Sequence, residues 1–374
     1  MSQIRQESPE QLAQLRTQVR ALIDGWRDRF TPRADAWLRG YDRGFSQALG
    51  EAGMLGITWP EEVGGGGRSN RARLVVTEEL LRAGAPVAAH WIADRQIGPA
   101  ILREGTPELR QEFLPRIAAG DATFCLCMSE TEAGSDLAAV RTRAVRDGDD
   151  WRITGTKIWT SQAHSSEYAY VLARTDASGP KHEGLTEFIL DMGSDGVEVR
   201  PIIDLQGEHH FNEVVFDDVL VPGRWVIGEV GGGWTQVTEQ LAFERGGAER
   251  VLSTYLVLEE LVKVAGRDGR DLEAVGRLIA RLLSLRQMLW SIASAMDAGD
   301  APIRQAAIVK RLGTTFEQEL AETARYLLGT VPTPLATSVS GLLGDALLAS
   351  PGFGIRGGTT EILGTIIARE ELPA

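Results

Sequence analysis

Long apolar runs are missing from this sequence: nothing approaches about 18 consecutive apolar residues, so no transmembrane helix is predicted. Residues 1–11 are polar and lack an apolar core, which predicts that there is no secretory signal. The only cysteines are Cys125 and Cys127. In a strand they would face the same side, a poor geometry for a mutual disulfide. These absences predict a reduced, cytoplasmic protein.

Positive charge is also scarce. The chain has 39 Lys and Arg against 52 Asp and Glu, a formal net charge of −13. Nucleic acids and anionic membranes both attract surplus basic residues, so neither is a predicted partner. The remaining composition, 43% hydrophobic and 24% charged, is that of an ordinary globular protein. The length suits one large domain or two to three packed ones.

Several catalytic motifs do not occur. There is no Gly-Lys dipeptide, which excludes a Walker P-loop, and neither H-E-x-x-H nor G-x-S-x-G is present. No G-x-G-x-x-G follows a strand, so a nicotinamide Rossmann domain is not predicted. The histidines are His90, His164, His182, His209 and His210. Only the last two are adjacent, and neighbours in a strand face opposite sides, so no metal site is predicted.

Hydrophobic spacing divides the chain into three segments. Residues 1–121 are predicted to be helical, with an amphipathic stripe along residues 10–29, a helix start at Ser8 and a cap at Thr106. Residues 122–226 contain seven short β-rich runs between turn residues, which predicts a small antiparallel barrel or sandwich. Residues 227–374 return to the helical period in stretches long enough for a bundle.

Three short motifs occur in order along these segments. Residues 127–136 read CMSETEAGSD, residues 153–161 read ITGTKIWTS, and residues 357–362 read GGTTEI, followed by ARE at 368–370. Together with the α-β-α layout, they resemble the signatures of the acyl-CoA dehydrogenase family over essentially the whole chain. The resemblance implies an α+β multidomain fold: an N-terminal α-helical domain (1–121), a central β-barrel (122–226) and a C-terminal four-helix bundle (227–374).

The resemblance implies FAD as the cofactor. An isoalloxazine ring is a flat apolar plate with a polar rim, so it needs an aromatic face and hydrogen-bonding groups. Taken singly, a Trp in this segment would be read as a core residue, and a Ser after a strand would be read as a turn residue. Their occurrence together, in the order found in the family, favours a flavin site. The positions that match cofactor contacts are Met128, Ser129, Gly134, Ser135, Trp159, Thr160, Ser161, Thr359 and Glu361. Ser135 also matches a thioester contact.

Dehydrogenation of a thioester needs a carboxylate base in a dry pocket and donors to the thioester oxygen. Medium-chain members of the family place the base directly before the Gly-Thr of the third motif, where this chain has Gly357. Isovaleryl-CoA dehydrogenase and many bacterial members place it on a bundle helix before an Arg, as in Glu244-Arg245. The resemblance therefore implies Glu244 as the base, Arg245 ordering its surroundings at the substrate site, and the Gly357 N–H as a donor to the thioester oxygen.

The predicted function is FAD-dependent α,β-dehydrogenation of an acyl-CoA in fatty acid or steroid side-chain catabolism, with electron-transfer flavoprotein as acceptor. Adenosine-binding motifs of homotetrameric relatives have no match at residues 263–269 and 350–354. A homodimer, a homotetramer and a heterotetramer with a related chain therefore stay open. So do a partner-subunit role, an oxidase activity and a carrier-protein thioester substrate. Gly246 and Gly247 after the base suggest space for a branched or polycyclic acyl group.

Overall fold

The computed structural model describes residues 6–268, 271–333 and 338–371, without the side chains of 241–244, 266–268 and 370–371. Its helices are α1 (Pro9–Trp26), α2 (Ala36–Arg39), α3 (Arg43–Glu51), α4 (Asn70–Arg82), α5 (Ala88–Ile92), α6 (Gly98–Glu104), α7 (Pro107–Ala118), α8 (Gly233–Glu244), α9 (Glu249–Leu252), α10 (Tyr255–Asp268), α11 (Leu272–Asp297), α12 (Ile303–Leu327), α13 (Val339–Phe353) and α14 (Thr360–Glu371). None of them, over the described residues, has the length and apolarity to cross a membrane.

Helix starts follow local side-chain chemistry. Ser8 caps α1 by accepting from the Gln11 N–H, and the Gln11 side chain returns a bond to the Ser8 N–H. Thr106 caps α7 by accepting from the Leu109 N–H at 3.2 Å. Both predicted starts are confirmed, because a cap depends only on residues within one turn.

The chain folds into two compact units. The helical unit comprises Met1–Gly40, Gly67–Val87 and Ala242–Ala374, and the sheet unit comprises Tyr41–Gly66 and Ala88–Leu241. In the helical unit α12 packs against α10, α11 and α13. The apolar face of α11 is buried there at three- and four-residue spacing. The bundle predicted from the returning helical period is therefore present.

The sheet unit is built on eight strands in the described chain: β1 (Phe124–Cys127), β2 (Arg143–Asp147), β3 (Asp150–Lys157), β4 (Tyr168–Arg174), β5 (Leu185–Asp191), β6 (Val197–Ile203), β7 (His209–Val221) and β8 (Val226–Ile227). Their order is β6-β7-β3-β2-β4-β5-β8, with β1 paired to β4. Aromatic side chains such as Tyr170, Phe188 and Phe216 fill the core of this unit.

The expectation of helical ends around a sheet-rich middle is confirmed, but the sheet is not a closed antiparallel barrel. Among the described strands, β6 pairs only with β7 and β8 only with β5, so the sheet has open edges. The edge strand β6 carries Glu198, Arg200 and Pro201, which discourage pairing with another strand. The β1–β4 pairing is parallel. The short β-rich runs could not reveal this direction, because alternation is the same in both.

Candidate active site

The end of β1 carries the first group of predicted site residues. β1 is largely buried and ends at Cys127; Met128 is still part of the core, and the chain leaves the core at Ser129. The Met128 carbonyl accepts a hydrogen bond from Lys157 Nζ at 2.9 Å, and the Ser129 carbonyl accepts one from the Ile158 N–H at 2.9 Å. Within the described residues, the N–H and Oγ of Ser129 form no hydrogen bond. The half-buried Ser129 therefore offers two unused donors.

A buried ion pair supports this turn. Lys157 is fully buried, and its Nζ lies 2.9 Å from a carboxylate oxygen of Glu130. The same carboxylate accepts the N–H groups of Arg141 at 2.7 Å and Thr142 at 2.8 Å. Burial raises the pKa of Glu130, but the Lys157 charge and these N–H groups outweigh burial and bring the pKa below its usual range. Glu130 is therefore ionised at neutral pH.

Gly134 and Ser135 follow in an exposed loop. A Cβ at Gly134 would meet no heavy atom within 4 Å, and the φ of Gly134 is not positive. Neither packing within this chain nor backbone conformation requires glycine there. The Ser135 hydroxyl forms no hydrogen bond within the described part of the chain.

The second group of predicted residues forms a turn after β3. Trp159 has φ +61, a region that bulky residues avoid, and its side chain is 57% exposed. Its ring meets Phe211 edge-on at 5.7 Å. Ser161 is half-buried, and its hydroxyl has no partner in the described residues. Thr160 is fully buried, with its hydroxyl 3.8 Å from the Cys127 sulfur, so its side chain faces the interior.

Asn212 on β7 holds this turn from the other side. Its Nδ2 donates to the Thr160 carbonyl at 2.9 Å, and its backbone carbonyl accepts from the Thr160 N–H at 3.0 Å. The Asn212 Oδ1 lies 2.7 Å from His209 Nε2 and 3.3 Å from His164 Nδ1, and these two rings stack at 4.0 Å. Burial, followed by the neighbouring His209, lowers the pKa of His164. Because an amide oxygen only accepts hydrogen bonds, both histidine rings donate to Asn212, and Asn212 in turn holds the turn at Thr160. Among the described residues, no three His, Cys, Asp or Glu side chains are grouped to hold a metal.

The remaining predicted residues lie in the helical unit. Glu244 is the last residue of α8, and its side chain lies outside the described residues. Arg245, which follows it, is buried. Its guanidinium nitrogens lie 3.6–3.7 Å from the place where a Cβ of Gly358 would stand. The structure thus brings Arg245 beside the turn of the third motif.

Two glycines with positive φ form that turn: Gly357 at +65 and Gly358 at +97. Lys310 Nζ donates to the Gly358 carbonyl at 2.7 Å, and within the described residues the Gly357 N–H donates to no acceptor. Thr359 caps α14, since its Oγ1 accepts from the Ile362 N–H at 3.3 Å. Glu361 is exposed in the first turn of that helix.

The chain matches the acyl-CoA dehydrogenase N-terminal domain over residues 9–121, the middle domain over 125–219 and the C-terminal domain over 231–372. It therefore belongs to the acyl-CoA dehydrogenase family and is an oxidoreductase. Family members are generally flavoproteins.

Similar proteins include acyl-CoA dehydrogenase IpdE1 of Mycobacterium tuberculosis, 35% identical over 88% of this chain and 87% of IpdE1. FadE34 of the same organism is 36% identical over 87% of this chain, which spans 45% of FadE34. Among solved structures, the Tcur3481-Tcur3483 steroid ACAD has a TM-score of 0.88 and 29% identity over 98% of this chain and 99% of the other. The ChsE4-ChsE5 complex from Mycobacterium tuberculosis has a TM-score of 0.83 and 30% identity, over 98% and 99%.

Sequence reasoning did not assign roles to Lys157, Glu130 and Asn212. Glu130 and Lys157 lie inside the first and second motifs, and this position is the feature of the sequence that could have indicated a role for them. Asn212 lies in a β-rich run with no motif. Its contact with Thr160 spans 52 residues, so nothing local could indicate it.

Proposed function

We propose that this chain catalyses the FAD-dependent α,β-dehydrogenation of an acyl-CoA thioester. The observation that carries the proposal is the match to all three domains of the family, in order, over residues 9–372. Relatives over most of the chain are named acyl-CoA dehydrogenases. The family match supports the reaction class, and the role of each residue is our assignment.

FAD suits the donor groups of the sheet unit. The unused N–H and hydroxyl of Ser129 and the hydroxyls of Ser135 and Ser161 can bond a polar rim, and the exposed Trp159 offers an aromatic face. Gly134 leaves room for close approach. Met128 and Thr160 lie beside these groups in the same two motifs and are assigned as neighbouring contacts, and Thr359 and Glu361 are assigned as contacts at the start of α14. FAD, when bound, supplies the acceptor for the substrate's β hydride.

Glu244 removes the α proton of the substrate. A carboxylate is a base of suitable strength when a dry pocket raises its pKa. Gly357 has no side chain to serve instead. Its positive φ also disfavours any other residue at that position. The base therefore has to come from another position, and Glu244 at the end of α8 is the one that matches the family's second arrangement.

The Gly357 N–H donates to the thioester oxygen and so stabilises the charge that develops there during proton removal. Its freedom from other acceptors in the described chain supports this role. Arg245, buried beside Gly358, keeps the turn and the end of α8 in place. From their places in the family motifs we assign Ser135 and, in the helical unit, Glu244 and Arg245 as substrate contacts.

We assign the substrate to the bulky acyl-CoAs, with a polycyclic, steroid-like acyl group. The support is the likeness to the Tcur3481-Tcur3483 steroid ACAD at 29% identity over nearly the whole chain. The glycines after the base do not supply the space that the sequence suggested. A Cβ at Gly246 would lie 3.3 Å from Ala306 and Ile292, and one at Gly247 would overlap the carboxylate of Glu249. These positions are filled by the chain's own side chains.

We further infer that the active assembly is a heteromer with a related chain, with electron-transfer flavoprotein as acceptor. The paired names of the similar structures, Tcur3481-Tcur3483 and ChsE4-ChsE5, support the heteromer. The missing adenosine motifs at residues 263–269 and 350–354 agree with it. The buried free thiols of Cys125 and Cys127 suit a reducing compartment, so we place the protein in the cytoplasm.

The test is a visible absorption spectrum of the full chain, alone and co-purified with its partner, before and after anaerobic addition of a steroid side-chain acyl-CoA. A yellow preparation that bleaches on adding the thioester is expected. Bleaching by straight medium-chain acyl-CoAs alone would overturn the substrate assignment. A bound flavin that no acyl-CoA reduces would favour the partner-subunit role instead, and a preparation that takes up no flavin in either form would overturn the function.

A further inference from the structure

Lysine is rare in this chain, and its placement is uneven. Four of the 39 basic residues are lysine, so arginine serves almost everywhere a cation is needed. Lys181 and Lys263 lie on the surface with side chains 51% and 61% exposed, whereas Lys157 and Lys310 are fully buried. Burying an ammonium is unfavourable unless it is paired and hydrogen-bonded. A fully buried lysine in an arginine-rich chain therefore points to a specific use of its compact head, which the larger planar guanidinium cannot copy.

The Lys157 ammonium determines the direction of one peptide group. A trans peptide is planar, so its C=O and N–H point in opposite directions. The Met128 carbonyl is directed at Lys157 Nζ, 2.9 Å away in the buried interior. The N–H of Ser129 belongs to the same peptide and is therefore directed away from Lys157. This is the N–H that has no acceptor within the described residues.

The peptide that follows is held as well. The Ser129 carbonyl accepts from the Ile158 N–H at 2.9 Å, and the Glu130 N–H donates to the Ala133 carbonyl at 3.0 Å. Both peptides that flank Ser129 thus have fixed directions. Only the N–H and the hydroxyl of Ser129 itself are left unused, so the turn presents these two groups together.

Glu130 keeps the ammonium in place. Its carboxylate is fixed by the N–H groups of Arg141 and Thr142, and it lies 2.9 Å from Lys157 Nζ. The ammonium is thus located between a fixed carboxylate and the Met128 carbonyl. An ammonium with only one of these partners could rotate away from the carbonyl, since the lysine stem is flexible.

We propose that Lys157 is a positioning residue for the flavin, which acts through the Met128–Ser129 peptide, and that Glu130 holds Lys157 in place. The inference rests on the proposed function, because it takes FAD as the ligand that Ser129 meets. Lys157 is fully buried, so it acts through the peptide rather than by touching the cofactor.

The first variant is Lys157→Met in the full chain, in whichever assembly retains flavin. Methionine keeps the apolar stem and removes all three donors. We expect the dissociation constant for FAD, measured by fluorescence titration of the apo-protein, to rise about ten- to a hundredfold, the range found when a residue that orients a metal ligand is lost. The absorption band of the bound flavin should shift as well. The control Lys263→Met makes the same change on the exposed surface and should leave both unchanged.

The second variant separates positioning from folding. Lys157→Met alone leaves Glu130 without its cation, which destabilises the fold whatever happens to the flavin. Lys157→Met/Glu130→Gln removes both charges and keeps the shape. We expect it to recover the unfolding midpoint of the apo-protein relative to the single variant, while FAD binding stays weak. If Lys157→Met does not fold, the double variant carries the test.

Three results would overturn the inference, and only the last of them would also overturn the proposed function. An unchanged dissociation constant and spectrum in Lys157→Met, with wild type binding FAD, would remove the positioning role alone. Recovery of both stability and FAD affinity in the double variant would show a purely structural pair. A wild-type chain that binds no FAD, alone or with a partner, would remove the proposed function together with this inference.

Discussion

Trp159 combines two features that folding alone does not favour. Its backbone is left-handed, at φ +61, and its ring is 57% exposed. Such a backbone costs of order 1–3 kcal/mol and persists only where the neighbours hold it. The N–H groups of Ile158 and Thr160, on either side, are both bonded, to the carbonyls of Ser129 and Asn212. The turn is therefore built to present an aromatic ring at the surface of the sheet unit.

Replacing the proposed base tests the chemistry directly. In Glu244→Gln the amide cannot accept the α proton, so the bleaching of bound flavin by substrate should slow by about 10²–10⁴, while FAD is retained. Anaerobic stopped-flow absorbance measures the rate. Glu239→Gln, an exposed position on the same helix, is the matched control and should react like wild type. Full activity in Glu244→Gln would refute the assignment.

Gly357 tests the turn that carries the proposed thioester donor. Gly357→Ala places a side chain at φ +65, which should lower the free energy of unfolding by about 1 kcal/mol and reduce kcat/KM. Gly276→Ala is the contrast. A Cβ there meets no heavy atom within 4 Å on helix α11, so alanine should stabilise by roughly 0.5–1 kcal/mol. Urea unfolding measures both, and equal effects of the two substitutions would contradict the backbone argument.

At the scale of elements, α11 secures the start of α4 in the helical unit. The Asp297 carboxylate accepts the Asn70 N–H at 2.6 Å and lies 3.2 Å from Arg71 Nε, with its side chain 3% exposed. An anion is favourable at a helix N-terminus, where backbone N–H groups lack partners. Asp297, at the end of α11, therefore caps α4 and at the same time contributes to the packing of α4 against α11.

Asp297→Ala should lower the free energy of unfolding by about 2 kcal/mol, because it leaves buried donors without an acceptor. The measurement is urea denaturation followed by fluorescence. Asp300→Ala changes an exposed aspartate three residues on and should stay within about 0.5 kcal/mol of wild type. Matching midpoints for the two variants would show that the cap adds nothing.

At the scale of the whole molecule, three buried titratable groups shape the pH dependence of stability. Burial raises the pKa of Glu187 in the sheet unit and of Glu317 in the helical unit to about 8, and it lowers that of His90 to about 3. From about pH 4.5 to 8 the native carboxyls hold protons that the unfolded chain has lost, so stability falls as pH rises. His90 has the opposite effect. Between about pH 3 and 6.5 its ring is neutral in the native chain but protonated in the unfolded chain, so stability rises with pH over that range.

The decline should therefore be clear between about pH 6.5 and 8, with a slope of up to roughly 1.4 kcal/mol per pH unit for each carboxyl. Urea midpoints at several pH values measure it. Glu187→Gln and Glu317→Gln should each flatten the profile and stabilise at pH 8, since an amide need not ionise. Glu273→Gln alters a side chain 87% exposed and should leave the profile as it was. A flat wild-type profile would mean that neither carboxyl is held neutral.

Several elements could be predicted from local patterns. The apolar stripe along residues 10–29 corresponds to α1 and the short turn after it, and the helical period predicted for residues 227–374 corresponds to helices α8 to α14. The three motifs led to the family that the domain matches now establish. The prediction of a barrel missed the open edges and the parallel β1–β4 pair, because strand alternation carries no information on partner or direction.

The sequence by itself determined the helix starts at Ser8 and Thr106, the order of the α and β segments and the family, because these depend on residues a few positions apart. Only the tertiary structure decided that Lys157 holds the Met128 carbonyl across 29 residues and that Asn212 holds Thr160 across 52. It also decided that Trp159 is exposed while Thr160 is buried. The physical reason is that such contacts depend on strand order and register, which follow from packing the whole sheet rather than from local periodicity.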